Sequence, residues 1–256
     1  MPLWNSCKTK MPTVISAIGS STHHDDKLFL STLETGFHGL MRLREISFPN
    51  NVAQHNYQKV ILRHTVNITE KSYSFWLPGH KANRFYKGNL IIIEKTTLPT
   101  DPYSFFVSYL QSQDTLHPLK PELWLRESGS VPTCSWFMKR LHRFFPADIA
   151  GQSMHAGGAT SLAEAGVPPN IIQAIGRWAS DTFQIYIRKN PVLLQAMLFG
   201  HPAHQPDMNI WFIDFFHLTL NYSLSNLYYL RFLFWPPTNI APLHSTQLLS
   251  SFPTDI

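Results

Sequence analysis

Apolar residues recur along the first 200 positions at helical and strand spacings. In residues 25–46 (DDKLFLSTLETGFHGLMRLREI), Leu28, Phe29, Thr32, Leu33 and Phe37 fall near one helical face, and Asp25 or Asp26 can cap the start. Gly36 and Gly39 interrupt that spacing, so two helices with a bend are expected. Residues 57–66 (YQKVILRHTV), 72–77 (SYSFWL) and 89–93 (NLIII) read as strands. Between the last two lies PGHKANRFYKG, a polar turn rich in Lys and Arg, which predicts a small β-meander with a basic tip. Helical spacing returns at 101–113 behind Asp101-Pro102, and at 133–145 in a basic amphipathic form. It appears again at 153–166, among small residues between a Ser cap and Gly166, and after Pro168-Pro169-Asn170 in IIQAIGRW. A turn then leads to 181–188, and Asn190-Pro191 opens a last apolar stretch ended by Gly200. Residues 1–24 show no period and read as a loop or remnant. The pattern predicts one mainly α unit with a small antiparallel sheet (α+β) over 25–200.

Composition changes this picture at one end. The net charge is +5, but residues 201–256 hold only Asp207, Asp214, Asp255 and Arg231 as formal charges, a net of −2. Residues 1–200 therefore carry 20 basic and 13 acidic groups, a net of +7, which suits a polyanionic partner without proving one. The two cysteines, Cys7 and Cys134, make neither a disulfide framework nor a zinc-ligand set, and they fit a reducing compartment. No basic stretch followed by an apolar run opens the chain, so secretion is not expected. Residues 201–256 read as an aromatic-rich tail. Its uncharged aromatic run 215–230 has 16 residues where a membrane span needs about 20, and His217, Asn221, Ser223 and Asn226 dilute it, so a membrane is not favoured. An interaction helix, or sequence foreign to the fold, are the other readings of that tail.

The most informative stretch is GGATSLAEAGVPPNIIQAIGRWASDTFQIYIRKNP (157–191). A small-residue helix, Ala-Gly-Val-Pro, a helix ending in Gly-Arg-Trp, a short turn and Tyr-Ile-Arg follow one another. This order resembles the C-terminal signature of the tyrosine recombinase (integrase-type) family, especially the versions in fungal mobile elements (Crypton-like). Upstream, GFHGLMRLREI (36–46) resembles the family's helix end carrying an Arg-x-x-Glu, and SFWLPGHKANRF (74–85) its Lys-bearing hairpin. The resemblance covers about 25–200 in the right order, far more than any single motif.

The resemblance implies DNA cleavage and rejoining through a 3′-phosphotyrosyl link, with neither ATP nor metal nor other cofactor. It assigns Tyr186 as nucleophile, Arg42 as phosphate clamp and Lys81 as general acid, with Lys87 a nearby competitor. Trp178 takes the place of a ring N–H donor. Such chemistry needs forked guanidinium donors for the charge that builds on the phosphate, help for a Tyr hydroxyl of pKa about 10, and a proton for the leaving alkoxide. Lys139, Arg140, Arg143, Arg177 and Arg188 are candidate DNA contacts. DNA is the implied partner, a tetramer on two duplexes the implied assembly, and the nucleus the implied location.

Two features depart from the family pattern. His-x-x-Arg normally precedes Gly-Gly-Ala-Thr, whereas here the window reads Gln152-Ser153-Met154-His155-Ala156. Aligned on Gly-Gly-Ala-Thr, His becomes Gln152 and Arg becomes His155. The other register places Gly158 at the Arg position and breaks that match. Gln152 cannot shuttle a proton, and His155 is mostly neutral at pH 7. Losing one transition-state donor costs on the order of 3 kcal/mol, so weak or no strand exchange is expected. Second, only 41 residues precede Arg42, too few for the helical clamp domain that recombinases usually carry there, so a truncated sequence or reliance on a partner is expected.

Each residue also has a plainer reading. Arg42 alone would be a surface Arg at a helix end, Tyr186 a core aromatic, Trp178 packing, and the basic helix a solvated face. Three functions follow: a recombinase, a catalytically degenerate DNA-binding relic, or an interaction protein that keeps only the ancestry.

Overall fold

The computed structural model describes residues 3–79, 88–97, 100–179, 183 and 194–195, with backbone alone for 3–9. The chain divides after His204 into two units, and residues 205–256 lie outside the described residues. Among the described residues the first unit is mainly helical with a three-stranded antiparallel sheet, as the pattern predicts.

Residues expected to form a loop open the chain as helix α1 (Leu3–Ile18). Met11 and Val14 are buried, and Ile15 and Ile18 pack against the same core. That is the i, i+3, i+4, i+7 spacing of an amphipathic helix, and Pro12 within it hides the pattern from a sequence reading. α1 packs on α6 and α2.

Helix α2 (His24–His38) is buried on nearly every side between α1, α6 and α4. Leu28, Phe29, Thr32, Leu33 and Phe37 are all buried, as their spacing predicts. Its N-cap is His23 rather than Asp25 or Asp26. The two carboxylates turn outward instead: Asp25 accepts from the Glu127 N–H at 2.8 Å, and Asp26 accepts from Ser21 Oγ at 2.8 Å and from Arg140. α2 stops at Gly39, Leu40 follows with φ +46°, and a short helix α3 (Leu43–Ile46) begins after Arg42. This is the bend that the two glycines announce.

Strand β2 (Ser72–Leu77) pairs with β3 (Asn89–Glu94) in the register Ser74↔Ile92 and Trp76↔Leu90, and with a two-residue β1 (Asn67–Ile68). Tyr73, Phe75, Leu77, Ile91 and Ile93 point into the core, where Tyr73 stacks on Phe106 at 3.9 Å. The strand expected at 57–66 does not form. Those residues make two 3-10 turns, Tyr57–Lys59 and Arg63–Thr65, the first capped by Asn56. Their extended backbone groups pair with 121–123, not with the sheet: Leu123 N–H donates to the Ile61 carbonyl at 2.8 Å and Arg63 N–H to that of Pro121 at 2.7 Å. The basic tip, 80–87, lies outside the described residues.

Helix α4 (Pro102–Leu116) is capped by Asp101, which accepts from the N–H groups of Tyr103 and Ser104. Helix α5 (Cys134–Leu141) is capped by Thr133. Helix α6 (Gln152–Glu164) uses its small residues to approach α2. Gly158 sits against the Phe37 carbonyl and the Leu40 side chain, leaving no room for a Cβ. Helix α7 (Pro169–Gly176) starts with Pro at its first position and ends at Arg177 in the left-handed conformation, φ +55°. A second apolar cluster of Leu40, Ala159, Ala163, Ile172 and Phe183 joins α6 and α7 to the α2–α3 turn. No helix among the described residues is long and apolar enough to cross a membrane.

The close α2–α6 approach predicts that Gly158→Ala destabilises the full chain by about 1–3 kcal/mol, because the added methyl meets backbone that cannot rotate away. A urea midpoint unchanged from wild type would show that the helices separate freely.

Candidate active site

Three segments distant in sequence meet at the α2–α3 turn: 39–45, α6 at His155 and the end of α7. Arg42 precedes α3, and Glu45 lies within it. The Glu45 carboxylate accepts from the Arg42 backbone N–H at 2.9 Å and from Arg42 Nη1 at 3.1 Å. Arg42 Nη2 donates to the Gly176 carbonyl at the end of α7, 3.3 Å away. Thus braced, the Arg42 side chain is still 40% exposed and can offer donors outward.

Arg177 takes the other Glu45 oxygen, Nη2 to Oε2 at 2.8 Å, but its side chain is only 6% exposed. Its remaining bonds go to the carbonyls of Gly39 (3.2 Å), Leu40 (2.9 Å) and Ile175 (3.0 Å). Burial lowers its pKa, and the Glu45 carboxylate beside it works against that shift. Both Nη groups of Arg177, a candidate DNA contact, are bonded inside the protein, and its Nε is buried without a hydrogen-bond partner among the described residues.

His155, one helical turn into α6, is 7% exposed. Its Nδ1 lies 2.6 Å from the Leu40 carbonyl. A carbonyl only accepts, so Nδ1 carries the proton, and in the neutral ring Nε2 is a lone pair. Nε2 is buried without a hydrogen-bond partner among the described residues. Burial is the main cause that pushes the imidazole pKa down to about 4, and the Arg42 charge adds to it. His155 is therefore neutral at pH 7. Trp178 meets it edge to face at 4.3 Å and also packs on Phe183. The Trp178 ring lies across Gly176, which has no space for a side chain.

The structure thus gathers Arg42, His155 and Trp178 with Glu45 and Arg177. Gln152 is exposed in the first turn of α6, one turn before His155. Tyr186, Lys81 and Arg188 lie outside the described residues. On α5 and beyond, Lys139 and Arg143 are exposed, Arg143 against the Phe144 ring. Arg140 is instead held by Asp25 and Asp26 and stacked 4.9 Å from the Trp136 ring. Burial tends to raise the Asp26 pKa, but hydrogen bonds from Arg140 and Ser21 outweigh it and hold the carboxyl below its ordinary range. The carbonyls of Gly39 and Leu40 complete the site and have no side-chain signature in the sequence. Gly39 in an otherwise helical run was their only trace.

No protein-family model and no curated protein matches the chain. Solved structures do. A XerH site-specific recombinase bound to palindromic difH substrate, in a post-cleavage complex, superposes with a TM-score of 0.52 at 17% identity over 75% of this chain and 51% of that one. XerH bound to difH in a pre-cleavage complex gives 0.53 at 14% identity, over 75% of this chain and 50% of that one. The fold is that of a tyrosine recombinase catalytic domain. The chain spans about half the length of these solved recombinase chains.

Two outcomes follow from the geometry. His155 titrates near 6.5 when unfolded and about 4 when folded, so between those values the unfolded chain binds the extra proton. Its contribution to stability is present above pH 6.5 and lost as pH falls toward 4, by at most roughly 3 kcal/mol. The urea midpoint should therefore drop further between pH 7 and pH 5 in wild type than in His155→Asn, and equal drops would refute the burial argument. Glu45→Ala strands the buried Arg177 charge and should cost about 3–5 kcal/mol. Arg42→Ala, which removes a half-exposed partner, should cost far less in the same assay.

Proposed function

We propose that this chain acts on DNA by strand cleavage and rejoining, with the Arg42–Trp178 face as the phosphate site and Tyr186 as the nucleophile. The observation that carries the reading is Arg42. Its guanidinium is fixed by Glu45 and the Gly176 carbonyl yet partly exposed, in a fold shared with a recombinase captured with DNA before and after cleavage. In this mechanism the Tyr186 hydroxyl gives its proton to solvent as its oxygen bonds to phosphorus, and the departing 5′-oxygen takes a proton from Lys81. Arg42 binds the non-bridging oxygens that gain charge, and the Trp178 N–H adds a neutral donor. The second strand's 5′-hydroxyl reverses the step. A nuclear mobile-element enzyme working as a tetramer is the finer form of this reading.

The reaction runs slowly in this chain. His155 stands where a second guanidinium is expected, and it turns a lone pair, not a donor, away from Leu40. One lost donor lowers the rate roughly a hundredfold or more. The same observation favours the second reading, a DNA-binding relic without turnover.

A nicked duplex carrying candidate element ends separates the two. A denaturant-resistant protein–DNA species present in wild type and absent in Tyr186→Phe is expected. Gln152→His with His155→Arg should increase its yield at least tenfold. Binding at low salt with no covalent species in either form would support the relic.

A further inference from the structure

We infer that Arg177 is a positioning residue that clasps Trp178 and Arg42 into one arrangement without touching DNA itself. This deepens the reading of the Arg42–Trp178 face as a phosphate site and rests on it for its DNA arm alone. The first observation is conformational: Arg177 holds φ +55°, a region that side-chain-bearing residues seldom occupy. The second is its hydrogen bonding. The four Nη hydrogens have four acceptors, the carbonyls of Gly39, Ile175 and Leu40 and the Glu45 carboxylate, and the unpartnered Nε is buried, so no donor faces a phosphate. The third is that its neighbours carry the site. The Gly176 carbonyl receives Arg42, and Trp178 packs over Gly176 and against His155.

The three consecutive residues therefore make one clasp. Arg177 ties the end of α7 to the turn that bears Arg42, and the tie sets where Trp178 sits. A planar fork with donors on two nitrogens matches acceptors spread over 39–45 and 175, whereas a lysine ammonium offers its donors from one point. The usual role of an Arg beside an active-site aromatic, contact with the phosphate backbone, is excluded by its burial.

Arg177→Gly tests this in the full chain. Glycine suits the backbone angle and leaves an empty cradle of one carboxylate and three carbonyls, which free guanidinium ion can refill. Two signals are followed: the Trp178 indole N–H resonance, assigned with Trp178→Phe, and the salt dependence of binding to a short DNA duplex. The expected result is a displaced Trp178 resonance that low, non-denaturing guanidinium chloride restores and an equal concentration of sodium chloride does not. The salt slope should stay at the wild-type value in Arg177→Gly and fall by about 1 in Arg42→Ala. A slope that falls by about 1 in Arg177→Gly makes Arg177 a DNA contact and overturns the inference. So does an unmoved Trp178 resonance, or one that guanidinium does not recover. If Arg177→Gly fails to fold, Arg177→Lys keeps the charge and should still displace the resonance; an unmoved signal there is equally fatal. If wild type binds no DNA, the proposed function fails, while the Trp178 resonance still decides the role of Arg177.

Discussion

One carboxylate organises this molecule's working face. Glu45 receives two guanidinium groups, one on each oxygen, and the two come from opposite ends of the fold. Arg42 belongs to the turn after α2, and Arg177 to the end of α7. A buried charge without a partner is among the costliest features a protein can hold, so Arg177 fixes the distance between those segments as firmly as a core contact would. The strained Leu40 belongs to the same arrangement. Its left-handed backbone, of a kind that costs roughly 1–3 kcal/mol in a non-glycine residue, aims a carbonyl at both His155 and Arg177.

The site that results is asymmetric. One guanidinium is braced and open to solvent, while the other is braced and closed. Beside the exposed Arg42 guanidinium lie the Trp178 ring and a buried, neutral imidazole packed against it. An imidazole buried beside two guanidinium groups cannot hold a charge of its own, which is why His155 titrates near 4 rather than near 6.5. The same neighbours that would have steadied an anion with an arginine at 155 suppress the charge of the histidine found there.

Much of the architecture follows from local chemistry. Strand β2 begins and ends where alternation places it, because Tyr73, Phe75 and Leu77 need a core and their neighbours do not. α7 opens on Pro169, and α6 gives way to a turn at Gly166, which holds φ +80°. Where local signals conflicted, packing decided. α1 forms despite Pro12 because Met11 and Val14 find a core against α6 and α2. The apolar run at 57–66 coils instead of extending because its backbone pairs with 121–123, while β2 beside it reaches only the Thr65 hydroxyl, which accepts from the Trp76 N–H.

The site divides along the same line. Residue types and their order are legible in the chain alone: Arg42 three before Glu45, Gly176-Arg177-Trp178 closing a helix, and a histidine where an arginine is expected. Spacing along a chain carries that information. Which way those residues face, and which partner each takes, comes from the folded packing. It alone turns Arg177 inward and Arg42 outward, and it alone gives the proton of His155 Nδ1 to Leu40. Burial, the direction of a carbonyl and the choice between two partners depend on segments more than a hundred residues apart, and no local pattern records them.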